Sequence, residues 1–157
     1  MAAVPRISPE LAEFLESGLA IVVGTRDGKL EPDGAVAWAV RVHESGDRLT
    51  VFLHEIAARE MLRNLKSHPE IAIDLDQPTS HRACQVKGTY RSSRRARPEE
   101  RALVVRQLEG FAADLEAIGI PRRMTEGWKV WPCMALEVRV TQLFEQTPGP
   151  GTGGPLR

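Results

Sequence analysis

Apolar and polar positions alternate along six short segments, and this pattern is typical of β-strands. The segments span residues 19–25, 35–43, 49–54, 70–76, 83–93 and 134–141. Successive side chains of a strand point to opposite faces, so most of these segments have one face suited to a core. The turn signals Asp27-Gly28 and Ser45-Gly46-Asp47 separate the early segments. The first strands are therefore predicted to form an antiparallel meander.

Three other segments have signals typical of helices. Ser8-Pro9-Glu10 predicts the start of the first helix, because serine caps a helix N-terminus and proline suits the first turn. The second helix is predicted from about Ile56 to Ser67, ending before His68-Pro69. The third begins at Pro98, and its apolar residues recur three or four positions apart, at Val104, Leu108, Phe111, Leu115 and Ile118.

The order of these elements predicts a mainly β fold, a six-stranded antiparallel Greek-key barrel with flanking helices. A doubly wound parallel sheet fits poorly, because tight turns rather than helices join the early strands. We expect one domain over residues 1–147. Residues 148–157 are expected to form an irregular tail, since Gly and Pro predominate there.

Composition and charge narrow the function classes. The 157 residues include 21 basic and 21 acidic side chains, a balance that disfavours a dedicated nucleic-acid binder. No apolar run approaches the roughly 20 residues that span a bilayer, and the N-terminus lacks the apolar core of a signal peptide. Cys84 and Cys133 have neither metal-site nor redox spacing, so we expect reduced thiols and a cytoplasmic protein.

The histidines do not indicate a metal site. His43, His54, His68 and His81 include no pair at the spacing of metal ligands. His54-Glu55 resembles the start of a zinc-protease helix, but no second histidine follows one turn later. We therefore expect no bound metal, and histidines that lie at the surface or cap a helix.

The second helix carries cations suited to an anionic ligand. A helix N-terminus offers unpaired N–H groups, and Arg59 in the first turn would add a guanidinium that matches phosphate. Arg63 and Lys66 follow on the same helix. Two interpretations stay open for all three, since cations on an exposed helix are often simply solvated.

The chain resembles the flavin-binding split-barrel family related to pyridoxamine 5′-phosphate oxidase in four segments, SGLAIVVGTRDGKLEP, RLTVFLHE, REMLRNLKSHPEIAID and CQVKGTY. The shared elements are the Asp27-Gly28 turn, Asn64-Leu65 with Pro69 at a helix end, and Gly88 in a strand. Each motif is short, and their order and spacing over residues 8–92 carry the resemblance. It implies a homodimeric split β-barrel that binds FMN in the groove between two subunits.

The resemblance also implies which side chains contact the cofactor. His54 and Arg59 would lie near the phosphate. The flavin edge, the ring or the ribityl chain would be contacted by Arg82, Gln85 and Lys87.

One departure from the family pattern bears on the substrate. Pyridoxamine phosphate oxidases carry a Ser-Arg-Lys run where this chain has Ala58-Arg59-Glu60, which loses a hydroxyl and reverses a charge. The resemblance therefore implies an FMN-dependent oxidoreductase with a small-molecule or nicotinamide-type substrate, rather than an oxidase of pyridoxamine phosphate. The flavin ring performs such chemistry itself, so the sequence singles out no catalytic residue. A deazaflavin-dependent reductase, a haem-binding relative and a non-catalytic ligand-binding dimer remain alternatives.

Three features have two interpretations each. Ala35, Ala37 and Ala39 either pack closely within the sheet or leave room for a flat ring. The basic run from Lys87 to Arg97 either forms a solvated turn or attracts a phosphorylated cofactor. The tryptophans Trp128 and Trp131 either seal the barrel or cover the flavin.

Overall fold

One curled antiparallel sheet with flanking helices forms the body of the protein. The computed structural model describes residues 4–156. Within these residues the sheet has seven strands. The strands are β1 (Ala20–Arg26), β2 (Pro32–Ala37), β3 (Ala39–Val42), β4 (Arg48–His54), β5 (Glu70–Asp76), β6 (Ala83–Arg95) and β7 (Cys133–Glu145). The α-helices are α1 (Pro9–Leu15), α2 (Glu55–Ser67) and α3 (Arg101–Ala117), and short 3₁₀ turns cover Pro98–Glu100 and Arg122–Met124.

The sheet curls because its two outer strands are neighbours in the sequence. The strand order is β2-β1-β5-β6-β7-β4-β3, so β2 and β3 lie at opposite ends of the sheet. Trp38 alone separates these two strands in the chain, and its N–H donates to the carbonyl of Phe52 over 2.8 Å. The chain can pass from one end of the sheet to the other in a single residue only if the sheet closes on itself. The predicted antiparallel split barrel with flanking helices is therefore confirmed.

The predicted number of strands is wrong, because the segment over residues 35–43 is two strands rather than one. β2 pairs with β1, whereas β3 pairs with β4. The bend at Trp38 also interrupts the alternation, which would place Val36 and Val40 on one face. Val36 is 48% exposed and Val40 is fully buried. A local period of two carries no signal for a change of partner strand, so the sequence does not predict this break.

The core fills the inside of the barrel and extends beneath α1 and α2. Apolar side chains from every strand meet there, and burial of each contributes roughly 1.5–3 kcal/mol. Those that are fully buried include Val23, Leu49, Val51, Leu53, Ile73, Leu75, Val86, Leu136, Val138 and Val140. From the helices, Leu15, Ala58, Met61 and Leu65 join the same cluster. The helices therefore close the core that the curled sheet leaves open.

Local signals place the helices as the sequence predicts. The Ser8 side chain accepts a hydrogen bond from the Leu11 N–H over 3.1 Å and caps α1. Gly18 has a φ of +96°, a conformation that glycine adopts without strain. A Cβ at Gly18 would lie 2.5 Å from the Gln107 carbonyl oxygen. This glycine therefore ends the first helical segment and lets α3 pass close to the chain.

The tail follows the end of β7 without forming a regular element of its own. The Glu145 N–H donates to the Gly154 carbonyl and the Leu156 N–H to the Leu143 carbonyl, each over 2.9 Å. Leu156 then packs against the core. Across the described residues, every helix is too short or too polar to cross a membrane.

Candidate functional site

A wide groove lies between β2 and the start of α2. This β2–α2 groove has a volume of about 570 Å³, within the range of about 300–1,000 Å³ typical of small-molecule sites. Strands β2 and β4, helix α2 and the segment before β7 all contribute to it. The residues that line the groove are Asp33, Gly34, Ala35, Val36, Trp38, His54, Ile56, Ala57, Glu60 and Lys129.

One wall of the β2–α2 groove consists of small and apolar residues of β2. Gly34 and Ala35 have little or no side chain, and they stand beside Val36 and Trp38. Ala37 and Ala39 are only 2% and 0% exposed. Ala37 packs in the barrel core, and Ala39 packs in a second apolar cluster with Val104 of α3. Of the three alanines considered from the sequence, Ala35 alone lines the groove among the described residues. This wall can accommodate a flat ring against backbone.

The start of α2 offers fewer free donors than a typical helix N-terminus. The Glu55 N–H donates to the Pro132 carbonyl over 3.0 Å, and the Ile56 N–H donates to Nδ1 of His54 over 3.3 Å. Two of the first three N–H groups of α2 therefore have partners. Because Nδ1 of His54 accepts a hydrogen bond, a neutral His54 carries its proton on Nε2.

Charged side chains of both signs border the β2–α2 groove. Asp33 and Glu60 supply carboxylates, and Lys129 supplies an ammonium group. Glu60 also forms an ion pair with Arg63 on the exposed side of α2. Lys129 is exposed and has no ion pair or hydrogen bond from its side chain within residues 4–156. The border of the groove thus carries charges of both signs, and its unpaired cation, Lys129, lies outside α2.

An aromatic groove of about 350 Å³ adjoins the first groove and shares Val36 and Trp38 with it. Trp128 packs there between Trp38 and Phe111, with ring centroids 5.3 and 5.8 Å away. This packing fits the sealing interpretation of Trp128, and a contact between Trp128 and a flavin stays a prediction. The remaining lining residues are also apolar, namely Ala20, Ile21 and Val22.

The structure places His54 and Arg59 differently relative to the β2–α2 groove. His54 is the last residue of β4 and lines the groove. Arg59 lies on α2 with an exposed side chain and is not among the lining residues. Its guanidinium makes no hydrogen bond or ion pair with the described part of the chain. The proposed phosphate contact of Arg59 stays a prediction.

The other three predicted site residues lie on or just before β6. The Arg82 guanidinium lies over the Phe14 ring, 4.0 Å from its centroid. The Gln85 amide donates to the Asp74 carboxylate over 2.9 Å. Lys87 lines a separate outer groove of about 400 Å³ over β5 and β6. In the sheet order, β6 is three strands from β2, which corresponds to roughly 14 Å.

A single chain therefore brings only one of the five predicted residues, His54, to the β2–α2 groove. Gln85 and Lys87 project from the outer face of β6, two positions apart. One cofactor could contact both His54 and this face only if a second copy presented its β6 next to the groove. The roles of Arg82, Gln85 and Lys87 stay predictions that depend on such a copy.

Among the lining residues that sequence reasoning missed are the two carboxylates, Asp33 and Glu60, and the ammonium group of Lys129. Lys129 lies in the irregular segment between Trp128 and Trp131, where no periodicity predicts which way a side chain points. The one sequence signal for the position of Lys129 is the preceding Trp128. If Trp128 packs against the barrel, the next residue lies at the barrel surface. Asp33 lies on β2, close to the predicted hairpin turn.

The two cysteines have no role at the groove. Cys84 and Cys133 are free and buried, and desolvation by burial raises their pKa values to about 11 and about 12. Their thiols are therefore protonated at neutral pH and poor nucleophiles. No group of three or more metal-ligating side chains occurs among the residues that the structure describes.

Comparison with known proteins identifies the fold. No protein-family model matches the sequence, and no curated protein is significantly similar to it. Among solved structures, HupZ from Group A Streptococcus has a TM-score of 0.56 at 14% identity, covering 94% of this chain and 99% of that chain. A candidate pyridoxamine 5′-phosphate oxidase from Lactobacillus delbrueckii has a TM-score of 0.55 at 12% identity, covering 88% and 93%.

An F420 reductase is similar to the same degree, with a TM-score of 0.55, 18% identity and coverage of 87% of this chain and 98% of that chain. At such identities the likeness shows a shared fold and nothing about ligands. The protein therefore has the split-barrel fold of pyridoxamine 5′-phosphate oxidase-like proteins, as the sequence predicts.

Proposed function

We propose that the protein is a flavin-binding oxidoreductase that binds FMN in the β2–α2 groove. The observation that carries the proposal is the shape of this groove, which combines about 570 Å³ with a wall of Gly34 and Ala35. A tricyclic ring can lie against Gly34 and Ala35, because these two residues have little or no side chain. Trp38 and Ile56 supply apolar contacts at the ring edges.

The chain contributes binding and orientation, whereas FMN would supply two-electron transfer. Nε2–H of His54 is the polar donor on the side of the groove nearest α2. Lys129 provides a positive charge at the border of the groove, and Asp33 can accept hydrogen bonds from ribityl hydroxyl groups. The substrate would be a small molecule or a nicotinamide that reaches the exposed face of the ring.

We further propose that the working form is a homodimer whose cofactor sites use both copies. Val22 and Val36 pair across β1 and β2, and each is 48% exposed. Ile56 is 65% exposed on the other side of Val36. A continuous apolar surface of this kind is typical of an interface. In a symmetric dimer a second copy would cover this surface with its own Val22, Val36 and Ile56.

We propose a second copy of the chain as the protein partner, and neither a nucleic acid nor a membrane. The formal charge of the full chain is zero, which gives no long-range attraction to an acidic partner. Both cysteines are free and buried, as suits the reducing cytoplasm. We therefore propose a cytoplasmic protein.

The absorption spectrum of the purified full-length protein tests the cofactor. Two visible and near-ultraviolet bands, with FMN identified by mass after extraction, would support the proposal. A single blue-shifted band would instead indicate a deazaflavin. A Soret band would indicate haem. A colourless protein that binds none of the three after incubation would favour a non-catalytic ligand-binding dimer.

A further inference from the structure

The charges around the β2–α2 groove are unusual for a site that would hold a phosphorylated cofactor. We infer that the groove recognises the ring and the neutral ribityl chain of a flavin, and that it discriminates little between FMN and riboflavin. The inference rests on the flavin binding proposed above and specifies which part of the ligand is bound.

The groove has no surplus of positive charge, because Glu60 is offset by its ion pair with Arg63 and Asp33 is balanced by Lys129. Asp33 and Glu60 both line it, and Lys129 is the single Lys or Arg among the described lining residues. A phosphate carries up to two negative charges, so nearby carboxylates repel it and offset the attraction of one exposed ammonium group. Arg63 lies close to Glu60 but is already paired with it.

The helix that borders the groove does not compensate for this charge. Phosphate sites at helix N-termini use the free N–H groups of the first turn. In α2 the Glu55 N–H is bonded to Pro132 and the Ile56 N–H to His54. Glu55 lies in the same turn, and its carboxylate pairs with Arg95 at 3.7 Å, so this turn adds no net positive charge. Little of the electrostatic attraction that normally binds a phosphate is therefore available here.

The apolar part of the groove is better developed. Val36, Trp38, Ile56 and Ala57 line it, and Val36 and Trp38 continue into the aromatic groove. Transfer of a flat aromatic ring from water to such a surface is favourable whatever the ring carries at its far end. Binding is thus expected to depend on the ring, and the phosphate is expected to remain in solvent.

A titration of the full-length protein, freed of any bound cofactor, tests the inference. Riboflavin and FMN are added separately, and the quenching of their fluorescence gives a Kd for each. We expect the two Kd values to differ by less than about tenfold. If FMN binds about tenfold more tightly or better, the inference is wrong and the proposed flavin site stands. If neither flavin binds, the inference and the proposed function both fail.

Reversal of one charge sharpens the test. Glu60 is exposed on α2, so Glu60→Lys should fold normally while it replaces a carboxylate at the groove with an ammonium group. We expect FMN to bind about tenfold more tightly to this variant, with riboflavin unchanged. Glu44→Lys makes the same change of net charge in an exposed turn away from the groove and should change neither Kd. Equal effects of the two substitutions on FMN would overturn the inference.

Discussion

Two regions of the molecule differ in how far their side chains have partners within the chain. At the α3 anchor, which consists of Arg41, Arg94, Glu100 and Gln107, the Glu100 side chain is 4% exposed. It accepts hydrogen bonds from Arg94 at 2.8 and 2.7 Å and from the Arg97 N–H at 2.7 Å. Gln107 accepts from the Val40 N–H and donates to the Val40 carbonyl. At this anchor each buried polar group has a partner within the chain.

The β2–α2 groove leaves some of its lining residues without such partners. Val36 and Ile56 are 48% and 65% exposed, and Lys129 has no described ion pair. The anchor is complete in one chain because its hydrogen bonds hold β3, β6 and α3 together. The groove is suited to another molecule, since apolar surface and an unpaired charge gain by contact with a ligand or a second copy. The difference separates residues that stabilise the fold from residues available for function.

The largest expected effect comes from breaking the anchor. Glu100→Gln removes the charge that pairs with two guanidinium ends of Arg94 and leaves that cation partly buried. We expect the free energy of unfolding to fall by about 2 kcal/mol, because charge-assisted hydrogen bonds are weakened while water solvates the 42% exposed Arg94. Urea denaturation measures it, and Glu99→Gln, next to it and exposed, is the control. A loss equal to that of the control would show that the pair contributes nothing.

The same carboxylate predicts a pH dependence. The hydrogen bonds from Arg94, together with other partners, lower the pKa of Glu100 from 4.5 to about 2. A lowered pKa means that the stabilisation is complete above the ordinary value and is lost as pH falls towards 2. The free energy of unfolding can be measured with urea for the wild type and for Glu100→Gln between pH 6 and pH 2.5, in steps of about half a unit. We expect the difference in free energy between the two proteins to shrink below pH 4.5. A difference that stays constant over this range would contradict the pKa assignment.

The valine surface consists of Val22 and Val36, which are both 48% exposed. A charge introduced there should have the smallest effect on stability and a large effect on assembly. We expect Val22→Glu to convert the proposed homodimer to a monomer, measured by light scattering, because a carboxylate would be buried without a partner. The unfolding free energy, compared where both proteins are monomeric, should change by at most about 0.5 kcal/mol.

Val105→Glu provides the matched control, since Val105 is 43% exposed on α3 and away from the valine surface. It should leave the dimer intact. Dissociation by both substitutions, or by neither, would argue against an interface at Val22 and Val36.

The sequence predicts the elements whose cause is local. Ser8 caps α1 as expected, because the capping hydrogen bond spans three residues. The apolar side of α3 is predicted in part, since Val104 and Leu115 are buried but Ile118 is 49% exposed. An amphipathic pattern gives the direction of a helix face but not where its contact with the sheet ends.

Features that join distant parts of the chain escape prediction from the sequence. Gln107 interrupts the apolar side of α3, yet it is 1% exposed and bonded to Val40, a partner 67 residues away. The candidate site shows the same limit. His54 lies at the groove because it joins two predicted elements, and its role towards a cofactor stays a prediction. The position of Lys129 depends on how Trp128 packs against Trp38. Such placements follow from tertiary contacts rather than from periodicity.

Trp38 has two structural roles that constrain how this protein can be redesigned. Its backbone joins the first and last members of the β-sheet, and its indole borders both cavities. Any replacement chosen to reshape the cavities would also disturb the closure of the barrel. Attempts to alter ligand preference should therefore start from Ile56, Glu60 and Lys129, which border the same opening and carry no part of that closure.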